Sequence, residues 1–383
     1  MKQSQIRFNL PATHVPDDQL PTMINTCQRS CLLLTLCLLP TAALPARHPS
    51  PSAPHRAESF IGRIEVHAFI AAMHDRHQFD KASLSAAFAA TRPLPGVIRA
   101  IQPPRDPGVR SWQSYRSRFV EERRITRGLE FWQTHAAQLA QASQQSGVPE
   151  EIIVAIIGVE SIYGAHTGNY RTFEALATLA FNYPPIDPAR DPARIQLFRN
   201  ELEALLLLAR ETGRDPLSYH GSYAGALGLP QFLPSSVRSY AHDGDGDARI
   251  DLETSAADAI TSVANFLQHH GWVKDGPIVT AAHISDERYQ PLIDEGISPR
   301  RTPREMSEFG ISTAADAPQQ PAALIDLVTP RQATEYRLGY RNFYVLTRYN
   351  RSSFYAMAVH DLAQALRVAR ASQPTVTPHD APH

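Results

Sequence analysis

The stretch Gly147–Gly164, GVPEEIIVAIIGVESIYG, decides how the chain folds. Pro149 suits a first helical turn, and Glu150 and Glu151 complement the positive end of the helix dipole. From Ile152 to Val159 the helix is apolar on every side, which places it in the middle of a domain. Glu160 ends that run. A carboxyl at the mouth of a buried apolar helix is partly desolvated, which disfavours its charged form and raises its pKa towards the range of a general acid. A glutamate at a helix end can equally cap it or form an ion pair, and the stretch alone leaves both readings open.

On either side the pattern is mostly helical. From Phe60 to about Glu211 apolar positions recur at helical spacing, with Gly and Pro between the segments. Between about Gly276 and Pro330 the pattern breaks into short pieces, Ile278-Val279-Thr280 and Leu324-Ile325-Asp326-Leu327-Val328, which predict a small β-rich insertion. Tyr355 to Ala371 resumes a helical pattern. The predicted class is mainly α (α+β), and a chain of 383 residues with 43% hydrophobic content supports a sizeable core and more than one lobe.

The N-terminal part reads as an export signal: Arg29 precedes the apolar run Cys31–Leu39 and the small residues Thr41-Ala42-Ala43, with Met23 as an alternative start. Pro40 and Pro45 interrupt the run short of a membrane span, so a cleaved signal is favoured over an uncleaved anchor. Cys27, Cys31 and Cys37 all lie there, so cleavage removes every thiol, and neither Cys31 nor Cys37 follows a lipoprotein pattern. Residues 44–57 are rich in Pro, Ser, His and Arg and read as a linker, and the tail after Ser372 reads as loose. With 37 basic and 38 acidic side chains the net charge is −1, which gives no electrostatic footprint for nucleic acid.

Two motifs carry a resemblance. Glu160-Ser161-x-x-Gly164 followed by Gly225-x-x-Gly228-x-x-Gln231-Phe232-x-Pro234 resembles the lytic murein transglycosylase pattern. The stretches Ala177–Pro184, Ser262–Phe266 and Thr347–Ser352 are similar to the membrane-bound lytic murein transglycosylase B family, over roughly Phe60 to Ala369. The resemblance implies a lysozyme-like catalytic core, an additional helical domain and a long glycan groove. The expected parts are a signal region (1–46), a linker (47–58), a helical domain (59–145), the core (146–275), a β-rich insertion (276–332), the end of the core (333–371) and a tail (372–383).

Glu160 falls on that family's acid/base, and Gln231 and Phe232 fall on the loop beside it. Tyr115, Ser222, Phe266, Tyr349, Asn350 and Tyr355 match positions lining the saccharide groove, where hydroxyls and an amide can bond sugars and aromatic faces can pack on pyranose rings. Each also has a plain structural reading: Tyr355 can pack in a core, and Tyr349-Asn350 can shape a turn. There are two departures from the pattern: Pro185-Ile186 replace expected basic residues, and Phe266 stands where a Tyr is usual.

The run Asp243-Gly-Asp245-Gly-Asp247-Ala-Arg249-Ile-Asp251 matches the first half of an EF-hand loop, with Arg249 lending a carbonyl and Asp258 matching a later ligand in the family. Ala248 replaces the usual Gly and Thr254 the closing Glu, so weak structural calcium and a metal-free Asp/Gly turn are both open. Ser255-x-x-Asp258 also reads as a capping box. Gly221-Ser222-Tyr-Ala-Gly225 is not a nucleophile elbow, and His269-His270 and His283 lack zinc spacing.

The implied reaction is cleavage of the bond between N-acetylmuramic acid and N-acetylglucosamine by one carboxyl group, with closure of a 1,6-anhydro ring and no catalytic cofactor. A muramidase using a second acid and a non-catalytic peptidoglycan-binding scaffold are the alternatives. The expected partner is the peptidoglycan glycan strand, with cell-wall synthesis or divisome proteins beside it, for a monomer in the periplasm associated with the outer membrane or an anchor.

Overall fold

The structure is a computed structural model that describes residues 59–103 and 110–372. The predicted signal, linker and most of the tail lie outside these residues, as do all three cysteines. Among the described residues no helix is long and apolar enough to cross a membrane.

Helices α1 (Ile64–His77), α2 (Lys81–Ala90) and α3 (Pro95–Ile101) come first. Asp80 starts α2 by accepting the Ser83 amide at 2.7 Å, and Pro95 opens α3, where the missing N–H costs nothing. Helices α4 (Trp112–Arg116), α5 (Glu122–Thr134) and α6 (Ala136–Ser146) lead to α7 (Glu150–Ser161). Every residue of α7 from Ile152 to Ser161 is buried, as its all-apolar surface requires. It is wrapped by α5, α6, α11 (Ala256–His269) and α15 (Ser353–Ala371).

Beyond α7, the short strand β1 (Tyr170–Arg171) precedes α8 (Thr172–Phe181), which packs along α9 (Asp191–Thr212). Strand β2 (His220–Gly221) pairs antiparallel with β1, and the loop after it enters α10 (Pro234–Tyr240). One continuous apolar cluster runs from Phe60 to Leu366, so the helices of the expected 59–145 unit share their core with the rest.

The insertion is a four-stranded antiparallel sheet in the order β4-β3-β6-β5, built from β3 (Val279–Ile284), β4 (Ile311–Ser312), β5 (Ala323–Leu327) and β6 (Glu335–Gly339). Alternation along β5 sends Ala323, Ile325 and Leu327 into the main core, while Leu324 enters a satellite core with Leu292, Met306, Ile311, Leu338 and Tyr340. Helices α12 (Gln290–Asp294) and α13 (Pro303–Met306) supply Leu292 and Met306. Strand β6 lies beyond the expected edge at 332, because Glu335-Tyr-Arg-Leu-Gly carries too short an alternation to read as a strand from sequence. Helix α14 (Arg341–Tyr349) then returns the chain to the core.

The sheet is fastened to α4. The Trp112 amide donates to the Val328 carbonyl at 2.8 Å, and the Gln113 amide donates to the Thr329 hydroxyl at 3.2 Å. On the other side of α4, Arg116 Nε donates to the Asp361 carboxylate of α15 at 2.5 Å.

Candidate active site

Glu160 sits in the last turn of α7 and is 3% exposed. Its Oε1 accepts the Tyr355 hydroxyl at 2.6 Å, and Oε2 is buried without a hydrogen-bond partner. Burial pushes its pKa up to about 8, against the opposing pull of the Tyr355 bond. The acid is therefore mostly protonated at neutral pH, with one free oxygen edge.

The chain leaves α7 by an unusual route. Ile162 and Tyr163 both take left-handed φ values, 52° and 56°, before Gly164 at 85°. Such backbone strains non-glycine residues, so the surroundings must hold it. Ser161, fully buried, donates to the Leu229 carbonyl at 2.7 Å and accepts the Gly164 amide at 3.0 Å. The Tyr163 ring occupies the space that side chains at Gly128 and Gly158 would need. Arg124 of α5, 5% exposed, donates from Nε to the Gly158 carbonyl at 2.9 Å.

Tyr355 is fixed by the start of α15, where the Ser352 hydroxyl accepts the Tyr355 amide at 3.3 Å. Tyr349 stacks on it with ring centroids 6.3 Å apart and planes 13° apart. The Tyr349 hydroxyl donates to the Pro230 carbonyl at 2.6 Å, tying α14 to the loop after β2. Burial, with Glu160 next in weight, raises the pKa of both phenols well above the ordinary tyrosine value, so they stay neutral donors. Tyr115, on α4, is raised by the same two causes in the same order, and it packs on Phe119 and Phe354.

The remaining expected residues divide. Phe232 is 2% exposed and forms an aromatic group with Phe266 and Tyr349, with centroids 4.8–5.7 Å apart, so it backs the site instead of facing it. Gln231 takes φ 52° and spends its amide N–H groups on the Thr167 and Gly228 carbonyls at 3.0 and 2.8 Å, which braces the loop beside Glu160. The Ser222 hydroxyl likewise accepts the Ala224 and Ala226 amides at 3.3 and 3.1 Å. Asn350 follows α14 in extended backbone, not in a left-handed turn, and its Oδ1 is buried without a partner.

The Asp-rich loop brings together Asp243, Asp245 and Asp258, with one carboxylate oxygen of each within 4.8 Å of the others. Asp247 and Arg249 lie outside this group; the Asp247 carboxylate accepts the Arg249 amide at 2.8 Å. Ala248 takes φ 67°, the conformation a glycine would adopt more easily. Ser255 caps α11 by accepting the Asp258 amide at 3.2 Å, but the return half of the expected capping box is missing. Asp258 instead spends both oxygens on the Gly244 and Asp251 amides, at 2.8 and 2.7 Å, holding the two ends of the loop together.

Arg124, Tyr163 and Glu201 stand outside the sequence-based expectation. Glu201, buried, accepts the Ser235 amide and hydroxyl at 3.0 and 2.7 Å and so holds the start of α10. Arg124 carries one sequence signal, since it shares helical spacing with Gly128, Phe131 and Trp132 on the buried face of α5.

The chain is similar to known proteins along most of its length. Residues 63–364 match the transglycosylase SLT domain family. The chain is 37% identical over 326 residues to membrane-bound lytic murein transglycosylase B of Escherichia coli (strain K12), covering 81% of this chain and 85% of that protein. The soluble lytic transglycosylase SltB1 from Pseudomonas aeruginosa superposes with a TM-score of 0.73 at 43% identity, over 80% of this chain and 100% of that one. The Escherichia coli lytic transglycosylase Slt35, solved in complex with calcium, superposes with a TM-score of 0.70 at 36% identity, over 82% and 96% of the two chains. The family match over residues 63–364 and the 37% identity across most of both chains, on a mainly α fold, make this chain a member of the membrane-bound lytic murein transglycosylase B family.

Proposed function

We propose that this enzyme cleaves the β-1,4 bond between N-acetylmuramic acid and N-acetylglucosamine in peptidoglycan, with Glu160 as its single acid and base. The observation that carries the proposal is the state of Glu160: buried, protonated near neutral pH, one oxygen on Tyr355 and the other free. Glu160 gives its proton to the glycosidic oxygen as the bond from C1 of the muramoyl sugar breaks. The resulting carboxylate takes the proton of the C6 hydroxyl on the same sugar as that oxygen attacks C1, closing a 1,6-anhydro ring. No water is consumed, and Glu160 ends protonated. Ring closure is intramolecular, so rate depends on how the sugar is held.

Hydrolysis by paired carboxylates would need a second acid facing the same bond. Burial and Tyr355 are the forces that set the Glu160 pKa, and no carboxylate is among them. Among the described residues the other buried acids, Asp191, Glu201 and Asp258, each accept backbone amides of other segments. In this reading Tyr115, Tyr349 and Asn350 belong to the saccharide groove, with Ser222, Gln231, Phe232 and Phe266 supporting it.

The Asp243, Asp245 and Asp258 oxygens suit a hard cation, and calcium there would relieve carboxylate repulsion and stiffen the entry to α11. The reaction itself needs no metal. The setting proposed is the periplasm, with glycan strands as partner. Mass spectrometry of muropeptides released by the purified protein tests the activity: anhydro-muramoyl ends are expected, reducing ends would indicate a muramidase, and no release would indicate a binding scaffold.

A further inference from the structure

Arg124 is a buried cation away from the reacting oxygens. Its Nε donates to the Gly158 carbonyl of α7 at 2.9 Å, and its Nη1 donates to the Arg118 carbonyl in the segment after α4. Its guanidinium carbon lies 5.3 Å from the centre of the Phe119 ring, and the half-exposed Glu121 carboxylate is 3.7 Å from Nη1. Gly158 stands two residues before Glu160, and Arg118 three residues after Tyr115. One guanidinium therefore joins the helix that carries the acid to the segment that carries Tyr115.

A buried cation is a costly way to fill space, and an apolar side chain of similar volume would serve packing alone at least as well. The planar fork of an arginine does what such a residue cannot: it bonds two carbonyls on separate chain segments in fixed relative directions. The Gly158 carbonyl belongs to the last turn of α7, where partners within the helix run out, and the same carbonyl also receives the Ile162 amide at 3.2 Å. The bond thus acts on the turn from which the strained exit at Ile162 and Tyr163 begins.

We infer that Arg124 is a positioning residue: its two carbonyl bonds set the place of Glu160 relative to Tyr115, and so the alignment of the acid with the glycosidic oxygen. This rests on the reading of Glu160 as the acid. Misplacement should slow the chemical step more than it weakens the hold on a long glycan, which is gripped at many points.

The test compares Arg124→Met, Arg124→Lys and Glu160→Gln with the native protein on purified glycan strands, each assayed at the same interval below its own Tm. Arg124→Met should lower kcat about 100-fold, the scale of an ångström misplacement, with KM within about threefold. Arg124→Lys, which can bond one carbonyl, should recover part of the loss. Should Arg124→Met not fold, Arg124→Gln, which keeps a single donor group, takes its place with the same expectation. A kcat within twofold of native, or a fall in kcat matched by an equal rise in KM, overturns the inference, as does a lysine variant no better than the methionine one. Turnover retained by Glu160→Gln would instead overturn the reading of the acid, which separates the two failures.

Discussion

The Tyr355 hydroxyl lies 2.6 Å from Oε1 of Glu160, joining two residues 195 positions apart at the point where α7 and α15 meet. That bond favours the charged carboxyl and holds back the rise that burial produces. Tyr355→Phe should therefore move the basic limb of the rate profile upward from about 8. It should also lower kcat by about 10- to 100-fold, the worth of one hydrogen bond to a charged group. A basic limb that stays in place or moves down would show that the hydroxyl does not act on the acid.

Glu160→Gln should abolish turnover and also change how stability responds to pH. The folded-state pKa of Glu160 is raised, so its contribution to stability is full below the ordinary glutamate range and is lost as pH rises to about 8. Glutamine does not titrate. Native and variant Tm values should be similar near pH 4 and separate in favour of the variant up to about pH 8, levelling beyond it. A constant difference across that window, measured by scanning calorimetry, would contradict the burial argument.

Ser161→Ala removes the hydroxyl that ties the end of α7 to the Leu229 carbonyl and the Gly164 amide. The buried Leu229 carbonyl and the part-buried Gly164 amide lose their partner, at a cost of about 1–3 kcal/mol. Chemical denaturation should show that loss at unchanged m-value, and an unaltered midpoint would mean that the loop is held by other contacts.

Gly158→Ala places a methyl group against the Tyr163 ring. Overpacking of this kind costs about 1–3 kcal/mol. If the ring is the obstacle, a Tyr163→Ala background should absorb most of that cost, so the double-mutant cycle should show strong coupling. Additive effects would point to backbone strain instead.

The Asp-rich loop gives a prediction with two readouts. Calcium should raise the native Tm, and Asp243→Asn/Asp245→Asn, which keeps side chains of the same size, should lose that response. Chelator should leave turnover in place at temperatures well below Tm. A native Tm indifferent to calcium would remove the metal, and turnover lost with the fold intact would give it a role in the reaction.

Sequence reads α7 well because its signal is local: eight apolar or small residues in a row can only be buried, and Glu160 follows them. The same locality makes β6 hard to see, since only Leu338 and Tyr336 mark its alternation. Residues whose meaning depends on distant partners are read least completely. Gln231 and Phe232 sit in the expected loop, yet their side chains turn inward to Thr167, Gly228 and the aromatic group. Asp258 has the spacing of a capping residue, and it is drawn away by amides at both ends of the loop. A charge on an otherwise apolar face, as at Arg124, is the one such signal that helical spacing does preserve.

The fastening of α4 to Val328 and Thr329 bears on how such enzymes can be recombined. Helix α4 is five residues long, too short to hold its shape alone, and its first two amides are borrowed by the end of the sheet. The sheet thus works as a splint for the helix that carries Tyr115. Val328 and Thr329 lie between β5 and β6, so a chimera that exchanges the insertion as a whole, from β3 to β6, takes the fasteners with the splint, whereas a seam cut at the end of β5 leaves them behind. The workable seam lies beyond Gly339, at the end of β6, and a transplant that respects it carries the support of Tyr115 along with the whole sheet.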